Sequence, residues 1–389
     1  MKIKSVKADW LHVPIPELQQ HTSDFGKTQS FDSTLVRIET EGGLVGFGEA
    51  KAAVGSAGTN AALNTMVEDE LGPLLIGEDA RDISRLWDVM YNGSRAHYAI
   101  DHGRVFPVLG RRGHLISAIS GIDMALWDIL GKSLDAPVWR LLGGRRKDRY
   151  PAYASGGWAP VDKIVAELQS FVDRGNFKAV KMRVGSGDGT LAHSVARVKA
   201  AREGLADDID IMCDAHGTFS VAEAKRFCRE VAECNIGWLE EPVVADDKRG
   251  MAEVRASSDV PISTGESEFT RFAFRDLAEL RACDIFQPDL SICGGITEAM
   301  RIEAIASAYQ LRYAPHLWGG ALTFAAGLQT MVVASTGFIV EYSLGANPML
   351  HELAVEDFTV VDGHLDVPDR PGLGVTVDED FVEKYRVKN

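Results

Sequence analysis

After Pro151 the chain settles into a repeat that few folds can accommodate: a short β-rich run, an amphipathic stretch of helical spacing, then another β-rich run. The runs are Tyr153-Ala154, 179–184, 209–213, Trp238-Leu239, Ile262-Ser263, Ile285-Phe286, Leu311-Arg312-Tyr313 and Ile339-Val340. Strands alternating with helices build right-handed βαβ units and a parallel sheet. Eight of them over roughly 200 residues fit a closed barrel better than an open sheet.

Upstream the pattern differs. Residues 2–14, 33–40 and 44–50 alternate like strands, with Glu41-Gly42-Gly43 as a turn, which predicts a meander ending in a hairpin. A polar loop over 17–31 carries His21, Ser23 and Asp24 and is long enough for a lid. Apolar spacing becomes helical over 59–91, broken by Leu71-Gly72-Pro73 and Ile76-Gly77-Glu78, and again over 115–131. The expected organisation is an α+β domain over 1–130, a barrel over 131–352, and a segment over 353–389 that returns to the first domain.

Composition serves mainly to exclude. The 46% apolar and 25% charged content is that of a globular chain. A net charge of −15 opposes binding to nucleic acid, which needs clustered Lys and Arg against phosphates. Five cysteines without a CxxC pair suggest neither a disulfide framework nor a zinc knuckle. No apolar run reaches signal-peptide or membrane-span length. The expectation is a cytoplasmic protein with no nucleic-acid or membrane partner.

Polar residues recur where the β-rich runs end: Lys181 and Arg183, Asp214 and His216, Glu240 and Glu241, Glu266, Asp289, His316, Glu341. Their spacing of roughly 25 residues is one βα unit, so in a barrel they converge on one mouth. An isolated Asp or Glu is usually a helix cap or surface ion pair. Three on neighbouring strands, Asp214, Glu240 and Glu266, would repel one another unless a cation lay between them. Carboxylate-only ligation favours Mg²⁺ or Mn²⁺ over zinc.

With these residues in view, Lys181-Met182-Arg183, Asp214, Trp238-Leu239-Glu240-Glu241-Pro242, Gly265-Glu266, Pro288-Asp289, His316 and Glu341 resemble the mandelate racemase subgroup of the enolase superfamily. The likeness extends to 118–144 and to Pro371-Gly372-Leu373-Gly374-Val375, so it covers nearly the whole chain. It implies a modified TIM barrel of (β/α)7β type and an N-terminal α+β capping domain completed by the C-terminal segment. It also implies one Mg²⁺ per subunit, a small carboxylate substrate, an enolate intermediate, and a homo-oligomer, dimer or octamer.

The resemblance is imperfect where protons move. Relatives carry Lys-x-Lys on the second strand, and here the second position is Arg183, which stays protonated and suits a substrate clamp. His316 and Asp289 resemble the family's dyad and point to His316 as general base. Asp214-Ala215-His216-Gly217 resembles the Asp-x-His-Gly segment of galactonate dehydratase-type enzymes, where the histidine helps the β-hydroxyl leave. If the strand continues, period-2 geometry aims His216 into the mouth beside Asp214. Lys181, its pKa lowered by Arg183 and the metal, is the alternative base. Glu341 is either a hydrogen-bonding partner of the substrate or a salt bridge, and Glu241 orients its neighbour. His21, Asp24, Arg95, His97 and Tyr98 are candidates for the distal end of a polyol. The favoured reading is a sugar acid dehydratase acting on an aldonate or aldarate. A racemase, epimerase or lactone cycloisomerase is the second, and a non-catalytic metabolite sensor the third.

Overall fold

The computed structural model describes residues 1–24, 26–52, 58–103 and 110–388. The N-terminal strands Ile3–Pro14, Ser30–Thr40 and Val45–Ala50 form the antiparallel meander. The apolar helix His114–Ser133 lies across it. This packing requires glycine: a Cβ on Gly46 would stand 2.2 Å from the Ala125 carbonyl oxygen, and one on Gly48 2.0 Å from that of Gly121. Any side chain there would push the helix off the sheet. Helical spacing over 59–91 resolves into Ala61–Thr65, a π-turn over Met66–Leu71, the short 3₁₀ segment Gly72–Leu74 and the helix Ile83–Asp101.

Among the described residues, eight parallel strands close the barrel: Arg149–Gly156, Ala179–Arg183, Asp210–Asp214, Leu239–Glu240, Ile262–Thr264, Ile285–Phe286, Arg312–Tyr313 and Val340–Ser343. The eighth pairs with the first, Glu341 opposite Tyr153, and Tyr313 bridges to Gly337 just ahead of the eighth. Helices fill the seven intervals, the last of them Ala321–Met331. Some begin on a side-chain cap, as Thr190, Ser220 and Asp247 provide. Val221–Glu230, for example, opens on a reciprocal capping box between Ser220 and Glu223 and buries Ala224, Phe227 and Cys228.

The floor of the barrel is plugged by Tyr153, Ala179, Met212, Trp238, Ile285 and Ala314, all buried. Tyr153 and Trp238 meet edge to face at 5.2 Å. Beyond the barrel, His364–Asp366 first adds antiparallel to the opening strand, His364 opposite Pro151. The chain then reaches the capping domain, where Glu379 accepts from Arg37 and the amide of Val387 donates to the Trp10 carbonyl. The helix His114–Ser133 straddles the boundary expected at residue 130. Among the described residues, no helix is long and apolar enough to cross a membrane. All five cysteines are buried and unpaired.

Candidate active site

Lys181 and Arg183 alternate on the second strand and so share its inner face. The third strand stops at Asp214, and His216 enters the mouth through a left-handed turn, φ +49°, not by the continuation of the strand that period-2 reasoning assumed. Its amide donates to Asp214 Oδ1 at 3.0 Å, which fixes the turn. Glu241, after the fourth strand, also has positive φ, +39°, a conformation costly for a side chain of that size. On the fifth strand Gly265 adopts φ +134°, and a Cβ there would lie 2.6 Å from Phe274. Only glycine allows the bend that delivers Glu266.

One side of the mouth is an ionic lattice. Lys181 Nζ lies 2.6 Å from Glu240 Oε1, 3.0 Å from Glu341 Oε1 and 3.4 Å from Asp214 Oδ2, all four side chains being buried. Arg183 pairs with Asp214 Oδ2 at 2.5 Å. Burial pulls the Lys181 pKa down, but Glu240, Glu341 and their neighbours outweigh it and hold the group well above the usual lysine range. Among these acids Lys181 stands as a cation. Burial pushes the Glu341 carboxyl up, yet Lys181 and His316 bring it down to about 2. One of its oxygens accepts the Leu317 amide at 2.8 Å, and the other pairs with Lys181, the salt bridge that is one of the two readings of Glu341.

Opposite, His316 Nδ1 lies 2.8 Å from Asp289 Oδ2. Its Nε2 faces Glu266 Oε2 at 3.4 Å, and His216 Nε2 faces Glu266 Oε1 at 3.6 Å. The two rings thus converge on one carboxylate from the third and seventh strand ends. Burial, with Arg183 close by, brings the His216 pKa down to about 3, so its ring is neutral. Burial and the adjacent acids carry Glu241 up to about 8. Its Oε1 accepts the Thr264 hydroxyl at 3.3 Å.

The donor set fits a divalent cation. Both oxygens of Glu266 are buried without a hydrogen bond, which is costly for a carboxylate with no counter-charge. Burial and the Glu241, Asp214 and Glu240 carboxylates push its pKa well above the usual range. Ligating atoms of Asp214, His216 and Glu266 lie within 4.8 Å of one another. Glu240 is the member of the expected trio turned elsewhere: Lys181 and, through its second oxygen, Trp238 at 3.0 Å and Gln287 at 2.8 Å occupy it.

The 20s loop meets the mouth. Asp24 accepts from the Gly187 amide at 2.6 Å and the Ser186 hydroxyl at 3.1 Å, and its second oxygen lies 3.8 Å from His216 Nδ1. His21 stacks on Trp158 with centroids 4.1 Å apart and meets Trp318 edge-on. Burial and Arg183 lower its pKa to about 4. The side chains of Arg95, His97 and Tyr98 lie outside the described residues. Sequence reasoning missed Trp158, Trp318 and Lys51, whose Nζ reaches Asp289 Oδ2 at 2.7 Å from the capping domain. The one signal for Lys51 was a lysine directly after a strand that reads as buried.

Comparison with known proteins adds independent findings. Residues 10–143 match the N-terminal domain described as mandelate racemase/muconate lactonizing enzyme, and 163–381 match an enolase C-terminal domain-like family. The chain is 33% identical over 365 residues to a D-galactarolactone cycloisomerase of Agrobacterium fabrum, covering 91% of each chain. It is 35% identical over 361 residues to a D-galactonate dehydratase of Variovorax paradoxus, covering 90% of this chain and 89% of the other. A racemase from Streptomyces coelicolor A3(2), solved with bound magnesium, superposes with a TM-score of 0.86 at 31% identity, covering 99% of this chain and all of the other.

Proposed function

The chain belongs to the mandelate racemase/muconate lactonizing enzyme group of the enolase superfamily, and from that premise we propose that it is a Mg²⁺-dependent sugar acid dehydratase. Its substrate is an aldonate or aldarate and its product a 2-keto-3-deoxy acid. Asp214, Glu240 and Glu266 are the residues that would hold the ion, Glu240 after releasing Lys181. When bound, the ion supplies positive charge beside the substrate carboxylate, where a proton on the neighbouring carbon is otherwise a very weak acid.

The chain's own groups do the rest. His316, its Nδ1 engaged by Asp289, presents Nε2 to the α-proton as general base. Lys181 and Arg183 are fixed cations that oppose the charge developing on the ene-diolate. His216, neutral at rest, offers an N–H to the 3-hydroxyl as the C–O bond breaks. The proton taken by His316 completes the departing water, so His316 ends as it began. The enol product then tautomerises to the ketone.

The observation that carries this reading is the convergence of both imidazoles on Glu266, at 3.4 and 3.6 Å, while the second-strand residues that racemisation would use as a base are both cations paired to acids. The test is a screen of the Mg²⁺-loaded enzyme against short-chain aldonates and aldarates for 2-keto acid, with His316→Asn and His216→Asn alongside. Exchange of the α-proton with deuterated buffer and no keto acid would move the assignment to a racemase or epimerase. An isomer formed without loss of water would indicate a cycloisomerase. Binding without either would indicate a sensor.

A further inference from the structure

The strand Val45–Ala50 ends by sending two charged side chains, Glu49 and Lys51, wholly into the barrel rim, where each is at most 1% exposed. Glu49 caps barrel backbone: it accepts the Gly320 amide at 2.9 Å and the Thr323 amide at 3.0 Å, at the start of the helix Ala321–Met331. Lys51 does something different. Its Nζ donates to the Trp318 carbonyl at 2.7 Å and lies 2.7 Å from Asp289 Oδ2, the same oxygen that His316 Nδ1 engages at 2.8 Å. The other oxygen, Asp289 Oδ1, is fixed by the Ser291 amide and hydroxyl at 2.8 and 2.5 Å.

We infer that Lys51 is a positioning residue for the base, so that the capping domain sets the direction in which His316 faces the substrate. A buried ammonium on Asp289 Oδ2 holds the carboxylate in one orientation, and that carboxylate in turn holds the imidazole ring. Lys51 also ties down Trp318, two residues beyond His316, so acid and base segment share one anchor. Burial pushes the Asp289 carboxyl up, but Lys51 first and His316 next outweigh it and keep the group ionised. Among the described residues Lys51 is the one Lys or Arg side chain paired with Asp289. The inference rests on His316 as base for its effect on rate, but the geometry it claims can be read without any substrate.

The experiment uses the Mg²⁺-loaded enzyme and compares Lys51→Met with Glu49→Gln, which removes a charge equally deep at the same domain contact. The first readout is the hydrogen-bonded imidazole N–H proton of His316 in the low-field NMR spectrum, assigned by its loss in His316→Asn. Lys51→Met is expected to shift or broaden that signal and Glu49→Gln to leave it in place. The second readout is kinetic, on the sugar acid dehydrated in the screen. Lys51→Met should lower kcat about 10- to 100-fold with KM within about 3-fold, as for other groups that orient a histidine from behind. Glu49→Gln should lower Tm while kcat stays within about 3-fold.

Should Lys51→Met fail to fold, the double variant Lys51→Met/Asp289→Asn, which leaves no unpaired buried charge, is compared with Asp289→Asn alone. Equal kcat within about 3-fold supports the inference, since it shows that Lys51 acts on the rate through Asp289 and not through its separate bond to the Trp318 carbonyl. A further loss in the double variant, or equal shifts of the signal and equal kcat losses for Lys51→Met and Glu49→Gln, would make Lys51 a domain fastener and overturn it. An unmoved N–H signal in Lys51→Met also overturns it. If His316→Asn retains turnover, the base assignment is what has failed, and the NMR result still decides the geometry.

Discussion

The two histidine sides of the mouth are built differently. His316 is held from behind by a chain of short contacts, 2.8 Å to Asp289 and 2.7 Å from there to Lys51, all on buried side chains. His216 sits on a left-handed turn, its ring 3.6 Å from Glu266 and 3.8 Å from Asp24, a residue of the 20s loop. A group that must abstract a very weakly acidic proton gains from being preorganised. On the proposed mechanism a group that assists a leaving hydroxyl must instead accommodate the substrate, and His216 accordingly faces Asp24 on a surface loop, the kind of segment that carries specificity.

Chelation of divalent ions should reduce turnover to background and collapse both sides together, with Mg²⁺ restoring it; full activity in excess chelator would remove the cation from the scheme. Next, His316→Asn should cost about 10³-fold in kcat and abolish α-proton exchange into solvent, measured by mass increase in deuterated buffer. His216→Asn should cost about 10²-fold in keto acid formation yet leave α-proton exchange measurable, since the first bond still breaks. Parallel loss of exchange and product in both variants would erase the division of labour. Asp24→Ala should act mainly on KM, by about 10-fold, with the identity of the favoured sugar acid changing more than the rate.

The smallest effect is acid sensitivity of the metal-free fold. The folded pKa of His216 lies at about 3, below its ordinary 6.5. The unfolded chain therefore binds the extra proton first, and stability falls as pH drops from about 6.5 towards 3. Asp289 has a folded pKa below the ordinary 3.8, so its contribution persists until pH falls below that value. Thermal unfolding from pH 7 to 4 should show a decline that His216→Asn flattens and Asp289→Asn does not.

Legibility differed between backbone and side chain. Every β-rich run singled out after Pro151 overlaps a barrel strand, because short runs buried on both faces are rich in apolar and β-branched residues and stand out between helices. The polar positions at strand ends likewise come together, since strand ends in a parallel barrel have one place to go. What the sequence left open were states of charge. Lys181, the alternative base, sits as a cation among Glu240, Glu341 and Asp214. Glu341, open between a substrate contact and a salt bridge, pairs with Lys181 at 3.0 Å. Burial and neighbouring charges act in opposite directions on such groups, and only distances decide which prevails.

The sequence by itself determined the barrel, the capping meander, the family, and the acids and histidines that face one another, because periodicity and spacing are properties of the chain taken in order. Tertiary structure alone decided which partner each charge has. Lys51 is 238 residues from Asp289 and Asp24 is 192 from His216, and no local pattern links such positions. Their pairing depends on a domain and a loop closing over a barrel mouth, where a low dielectric makes a contact of under 3 Å govern both charge and orientation.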